Sequence, residues 1–202
     1  VPITFSFNGY QFSESSQSSL AVSAVAGTGI GSDSQAFGAK RYRASPSFMY
    51  LKADGSHTQN VKGGLQLYAR GAAQISTGPL VSGEQFAAGG ATSVRGYFSA
   101  EATGDDGLLG TLEVRTPSYE HYLWTGVDEW RMYAFFDAAT LRLRDALPEQ
   151  RRSYTLLGAG VGTSIRFYRS VTGKLDFGWP LRDAQRTQAG SLTVNFNVRA
   201  NF

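Results

Sequence analysis

The side chains that could do acid-base or nucleophilic chemistry are few. His57 and His121 are the two imidazoles, and they fall in separate connections: His57 in what reads as a tight turn, Asp54-Gly55-Ser56-His57, and His121 in an aromatic-rich stretch. Gly162-Thr163-Ser164-Ile165-Arg166 approaches a Gly-x-Ser-x-Gly nucleophile elbow but ends in Arg where the motif needs Gly. The absence of Cys removes thiol catalysis, disulfide frameworks and Cys-based zinc sites together. Asp105, Asp106, Asp145 and Glu149 fall in what read as external loops. A calcium site there is conceivable, but solvated loop charge is the plainer reading. No Gly-Lys-Ser/Thr phosphate loop occurs, so a nucleotide-driven pump is unsupported. The expectation is a protein that is not an enzyme and holds no catalytic metal or cofactor.

What the chain has in excess is material for β-structure. Its 202 residues include 24 Gly, 13 Phe, 10 Tyr and 3 Trp, and only 17% are charged. With 42% hydrophobic residues it is neither a disordered tail nor a charged coiled coil. The net charge of +3 is a thin basic excess spread along the chain, too weak for a nucleic-acid partner. No run of about 18 apolar residues is present, which excludes a membrane-spanning helix but not a spanning β-strand of about 10 residues. The opening Val1-Pro2-Ile3-Thr4-Phe5 reads straight into a strand, without an initiator Met or signal segment, so a processed chain or a fragment is expected.

Period-2 alternation locates the strands. From 191 to 202, Leu192, Val194, Phe196, Val198, Ala200 and Phe202 alternate with Ser191, Thr193, Asn195, Asn197, Arg199 and Asn201. From 61 to 75, Val61, Leu65, Leu67, Ala69, Ala73 and Ile75 oppose Lys62, Gln66, Tyr68, Arg70 and Gln74. Further strands read at 107–117, 129–139, 154–168 and 170–181, and less clearly at 3–12, 18–28 and 42–54. Pro46 inside the last argues for a late start, a bulge or an edge.

Several strands outlast the usual soluble length of about 5 or 6 residues. Their charged residues share one face, strand after strand, which predicts a polar lumen and an apolar, lipid-facing exterior rather than the competing soluble β-sandwich. Short links near 13–17, 55–60 and 169 alternate with long ones near 29–41, 76–106, 140–153 and 182–189, as periplasmic turns alternate with external loops. The exception, 118–128, holds Tyr119, Tyr122 and Trp124, which suits an aromatic girdle at the headgroup level. The predicted class is all-β: a transmembrane antiparallel outer-membrane β-barrel. Nine strands are counted where single-chain bacterial barrels have an even number, so about 8–9 strands of a larger barrel are expected.

The long link 76–106 carries Ser82-Gly83-Glu84-Gln85-Phe86-Ala87-Ala88-Gly89-Gly90-Ala91-Thr92-Ser93-Val94-Arg95-Gly96-Tyr97. Its four Gly residues permit positive φ and close backbone approach, which a loop packed into a confined lumen needs. The Val94-Arg95-Gly96-Tyr97 tip resembles the hallmark loop of the outer-membrane polypeptide-transporter superfamily. Glu84-Gln85-Phe86 to Gly89-Gly90, Gly104-Asp105-Asp106-Gly107 and Leu112-Glu113-Val114-Arg115-Thr116-Pro117 resemble its two-partner secretion branch, the haemolysin activation and secretion proteins. So do Phe135-Phe136-Asp137, Gly158-Ala159-Gly160-Val161-Gly162, Trp179-Pro180-Leu181 and the terminal Phe202. The likeness covers most of the chain and is strongest from about residue 80. One departure is Ala139, where the aspartate motif usually has Gly.

The resemblance implies that residues 1–202 are a barrel portion, the C-terminal half, with the loop folded into the lumen and Arg95 paired to Asp137. Alternation independently puts Asp137 on the polar face, opposite Trp130, Met132 and Phe136, and makes Glu113 a competing inward partner. A planar guanidinium grips a carboxylate bidentately, which Lys does not reproduce. The plainer alternative is a solvated loop Arg and one polar lumen residue among many, a pair contributing about 0–1 kcal/mol in a wet lumen. By resemblance the function is secretion of a partner exoprotein, in extended form, across a Gram-negative outer membrane without ATP. Phe202 then resembles the signal read by the outer-membrane assembly machinery, and lipid is the other contact. The alternatives are an insertase of the same superfamily and a small standalone pore or structural barrel, the latter closing by pairing of its first and last strands.

Overall fold

The structure is a computed structural model and describes residues 1–31 and 34–201. Among them are eleven strands. Nine form one antiparallel sheet in the order β1 (Pro2–Phe12), β2 (Ser16–Thr28), β3 (Ser47–Asn60), β4 (Gln66–Ser76), β7 (Asp106–Arg115), β8 (Val127–Arg142), β9 (Ser153–Phe167), β10 (Val171–Pro180), β11 (Thr193–Ala200). The other two, β5 (Phe86–Ala88) and β6 (Ala102–Gly104), make a small hairpin inside the long link after β4. No β1–β11 pairing occurs among the described residues, so the sheet does not close in the way the standalone-pore alternative required.

Alternation along each strand sorts its side chains into two environments. On β8, Tyr133, Phe135, Asp137, Ala139 and Leu141 are buried while Met132 and Phe136 are exposed. On β7, Leu109, Thr111 and Glu113 are buried while Leu108, Leu112 and Val114 are exposed. On β4, Gln74 and Ser76 are buried while Leu67 and Ile75 are exposed. The outward face of the sheet is therefore an apolar belt, continued on β11 by Val194, Phe196 and Val198. Water does not support an apolar surface of this extent, and hydrocarbon does. Among the described residues no helix is long and apolar enough to cross a membrane, which leaves spanning strands untouched.

The strand pattern differs from the sequence reading at one hairpin. His57 lies within β3, opposite Ser18 and Ala69, not in a tight turn. The chain reverses instead at 61–65, where Gly63 and Gly64 take φ of 81° and 79° and Val61 N–H donates to Leu65 C=O at 2.8 Å. That turn shortens the 61–75 strand to Gln66–Ser76 and lengthens the strand before it. Pro46 immediately precedes β3, whose late start at Ser47 leaves no ladder position for its missing N–H. The link 29–46 contains a short helix, α1 (Ser34–Lys40). Phe202 lies outside the described residues.

The inward face is covered by the long link 77–105. Val94 and Tyr97 pack with Ala88, Ala102, Leu109, Ala139, Leu141 and Leu156 into the main apolar cluster, spanning the loop, β7, β8 and β9. Ala139 is 4% exposed within it, so its methyl is accommodated where the family motif has Gly.

Candidate functional site: a buried arginine and three carboxylates

The register explains how the strands assemble acids around one point. Asp137 on β8 stands opposite Thr111 on β7 and Gly158 on β9; Glu113 stands opposite Phe135, two residues along the same face. Asp176 on β10 stands opposite Gly162, which pairs in turn with Tyr133. The inward positions of β9 nearest these acids are thus Gly158, Gly160 and Gly162, which carry no side chains. The resulting trough takes the Tyr133 and Phe135 rings and the loop backbone. A Cβ at Gly162 would lie 2.6 Å from the Tyr133 ring, and one at Gly158 would collide with the Arg95 carbonyl oxygen. Gly178 on β10 extends the floor, since a Cβ there would be 2.7 Å from Gly96 N.

Onto this floor the loop lowers Arg95. Its Nε and Nη2 donate to the two oxygens of Asp137 at 2.7 and 2.8 Å, and its backbone N–H donates to Asp137 Oδ2 at 3.0 Å. Nη1 donates to Glu113 Oε1 at 2.7 Å and lies 3.4 Å from Asp176 Oδ1. The guanidinium carbon sits 3.5 Å from the Phe135 ring centroid. Glu113 also accepts from Arg115, and Asp176 from the Tyr133 hydroxyl at 2.8 Å. Burial pulls the Arg95 pKa down, and hydrogen bonding and charge from Asp137, then charge from Glu113, raise it by more, so it lies above its ordinary value.

Arg95 is 6% exposed and Asp137 fully buried, so this is not the solvated pair of the plainer alternative. For a buried pair, losing one partner strands the other, at a cost of about 3–5 kcal/mol.

The neighbouring tip residues fix the approach. Gly96 takes φ of 99°, and a Cβ there would meet Pro180 N at 2.7 Å, so backbone conformation and space both require glycine. Val94 is completely buried. The Tyr97 hydroxyl lies 2.8 Å from Arg182 C=O and 3.0 Å from Leu157 C=O, which ties the tip to the β9 wall and to the link after β10.

A second cluster holds the loop's other end. Asp105, read from sequence as solvated loop charge, is instead fully buried. It receives both arms of the Arg41 guanidinium and the backbone N–H groups of Leu80 and Arg144, the last two at 2.7 Å. Three links distant in sequence, 29–46, 77–105 and 143–152, meet on this one carboxylate. Asp106 begins β7 and accepts from Ser76 N at 2.9 Å and from Arg144 Nε at 2.9 Å. Glu101 likewise fastens the loop to the link 181–192 by accepting from Arg186 N at 2.6 Å and Thr187 Oγ1 at 2.9 Å. Asp145 pairs with Arg43 at 3.8 Å, at the surface. The imidazoles stand elsewhere: His57 Nδ1 is 2.8 Å from Ser18 Oγ, and His121 packs at a tilt against the Tyr122 ring.

Sequence reasoning named Arg95, Asp137 and Glu113, which meet here. It took in Asp176 as part of the 170–181 strand, without giving it a role, and it missed Gly178, Glu101 and the burial of Asp105. The signal for Asp176 was its parity with Lys174; Gly104-Asp105-Asp106-Gly107 marks Asp105 by resemblance, but nothing local marks its burial.

Long strands, an apolar outer face and a loop pinned against a polar inner one by a buried Arg–carboxylate cluster define a membrane-spanning β-barrel wall with an internal plug. The family model described as "Haemolysin secretion/activation protein ShlB/FhaC/HecB" matches residues 3–165, and the chain belongs to that family, a secretion family rather than an enzyme family. Among solved structures it is similar to CdiB from Escherichia coli, with a TM-score of 0.77 and 23% identity over 98% of this chain and 36% of that one. CdiB from Acinetobacter baumannii is similar too, with a TM-score of 0.70 and 18% identity over 98% of this chain and 32% of that one. The chain thus spans about a third of the length of these relatives. No curated protein matches it.

Proposed function

We propose that these residues form part of the wall and the internal plug of a two-partner secretion pore in a Gram-negative outer membrane, passing one partner exoprotein in extended form without ATP. The observation that carries this reading is Arg95 buried among Asp137, Glu113 and Asp176 beneath a loop that covers the inward face. Such a plug has two stable arrangements to offer, docked with its charges compensated or withdrawn with them hydrated, and little between them. The apolar outer face is the lipid contact. Family membership favours this over the insertase alternative.

Deleting the gene in its native strain and quantifying secreted, periplasmic and outer-membrane proteins tests the reading. One exported protein should disappear from the medium while the outer-membrane set is unchanged. Broad loss of outer-membrane proteins would establish the insertase instead, and unchanged fractions would refute both.

A further inference from the structure

The space beneath the loop tip holds more positive charge than its own acids neutralise. A chamber of about 460 Å3 lies between residues 91–95 and the inward faces of β4, β7, β8, β10 and β11. Its acids are committed: Glu113 to Arg95 and Arg115, Asp176 to Arg95 and Tyr133. Arg70 is answered by Asp54 at 2.7 Å. Two cations remain, Lys174 and Arg199, and among the described residues neither makes an ion pair or a side-chain hydrogen bond.

The register brings these two together. Lys174 stands opposite Asn197 and Thr172 opposite Arg199, so the cations are diagonal neighbours on one face, about 7–8 Å apart at the backbone. Asn197 and Asn201 line the same space, offering amide donors and acceptors, with the Tyr68 phenol across from them. Unpaired cations on a polar, partly enclosed wall create a field that concentrates carboxylates. Amides spaced along a strand beside them suit the peptide groups of an extended chain better than a small round anion.

We propose that Lys174 and Arg199 form a subsite that engages acidic side chains of an extended polypeptide as it passes the loop tip. This rests on the secretion reading of the chamber. It makes the exported partner's acidic segments the ones that dwell there, and it makes engagement sensitive to salt.

The test uses the full-length protein purified in detergent and two short fluorescein-labelled peptides, one alternating Glu and Ser, the other Gln and Ser. Saturable binding of the Glu peptide is expected, weakened roughly tenfold by the double variant Lys174→Gln with Arg199→Gln. Arg152→Gln, on an exposed external link, should leave binding unchanged. Equal binding of the two peptides overturns the proposal, and so does undiminished binding by a double variant that retains the gel-mobility difference between folded and boiled protein. Displacement of the Glu peptide by equimolar inorganic phosphate also overturns it, because the site would then recognise charge alone. No exported partner enters this measurement, so it can fail while secretion stands, or succeed in a protein whose deletion leaves secretion intact.

Discussion

At Arg95 the bonds are unequally shared, and this ranks the carboxylates. Asp137 accepts three, from Nε, Nη2 and the backbone N–H; Glu113 accepts one and keeps Arg115 when Arg95 leaves; Asp176 offers one long contact and keeps Tyr133. Asp137→Asn should therefore release the loop most, Glu113→Gln less and Asp176→Asn least. Limited proteolysis of outer-membrane preparations measures this as cleavage within 77–105, and an order in which Asp176→Asn exceeds Asp137→Asn would be inconsistent with the geometry. Arg95→Lys should also free the loop, because one ammonium cannot span Asp137 and Glu113 in the planar arrangement a guanidinium provides. Arg95 and its pairing to Asp137 could be singled out in the sequence because the loop tip resembles the family's motif, and alternation independently put Asp137 and Glu113 on the polar parity of long strands. Asp105 could not. Its burial depends on Arg41, Leu80 and Arg144, which no sequence spacing connects.

At the scale of the element, β9 works by what it lacks. Gly158 leaves room for the Arg95 carbonyl, and because the obstructing atom is backbone, no rotamer change relieves a Cβ placed there. Gly110 on β7 has open space around its Cβ position. Gly158→Ala should displace the loop while Gly110→Ala leaves it docked, read by hydrogen exchange of residues 90–97; equal protection in both would show that the trough does not seat the loop. The Asp105 cluster predicts a separate behaviour. Asp105→Asn removes the charge that gathers three links, so trypsin should cut at Arg41 and Arg144 faster than in the parent protein, with the strands unaffected. The nine sheet strands were legible because alternation over 8–16 residues is hard to produce otherwise. The turn at 61–65 was misplaced because Gly55, inside β3, resembles a turn residue as much as Gly63 and Gly64 do. Three-residue strands such as β5 and β6 are too short for periodicity to mark.

Taken as a whole, the molecule separates an apolar exterior from a polar interior, and substitutions should report which side they face. Leu112→Arg, in mid-strand on the outer face, should destabilise the folded protein in bilayers by about 2–4 kcal/mol. Asn197→Arg, on the chamber side, should cost far less. Denaturant unfolding in lipid vesicles compares them, and similar losses would mean that the outer face does not contact hydrocarbon. The plug and the wall are also separable in principle: the strands are held by their own ladders, and the loop by Arg95, Tyr97, Glu101 and Asp105. Release of the loop, against its apolar cluster with β7, β8 and β9, is therefore expected to leave the wall folded.

That separability is what the secretion account needs, and Arg95→Ala probes it directly in cells. The quantity to measure is partner protein released into the medium, normalised to variant that still shows the gel-mobility difference between folded and boiled protein. The account predicts a normal amount of folded barrel and loss of secretion. Wild-type secretion by folded Arg95→Ala protein would contradict it.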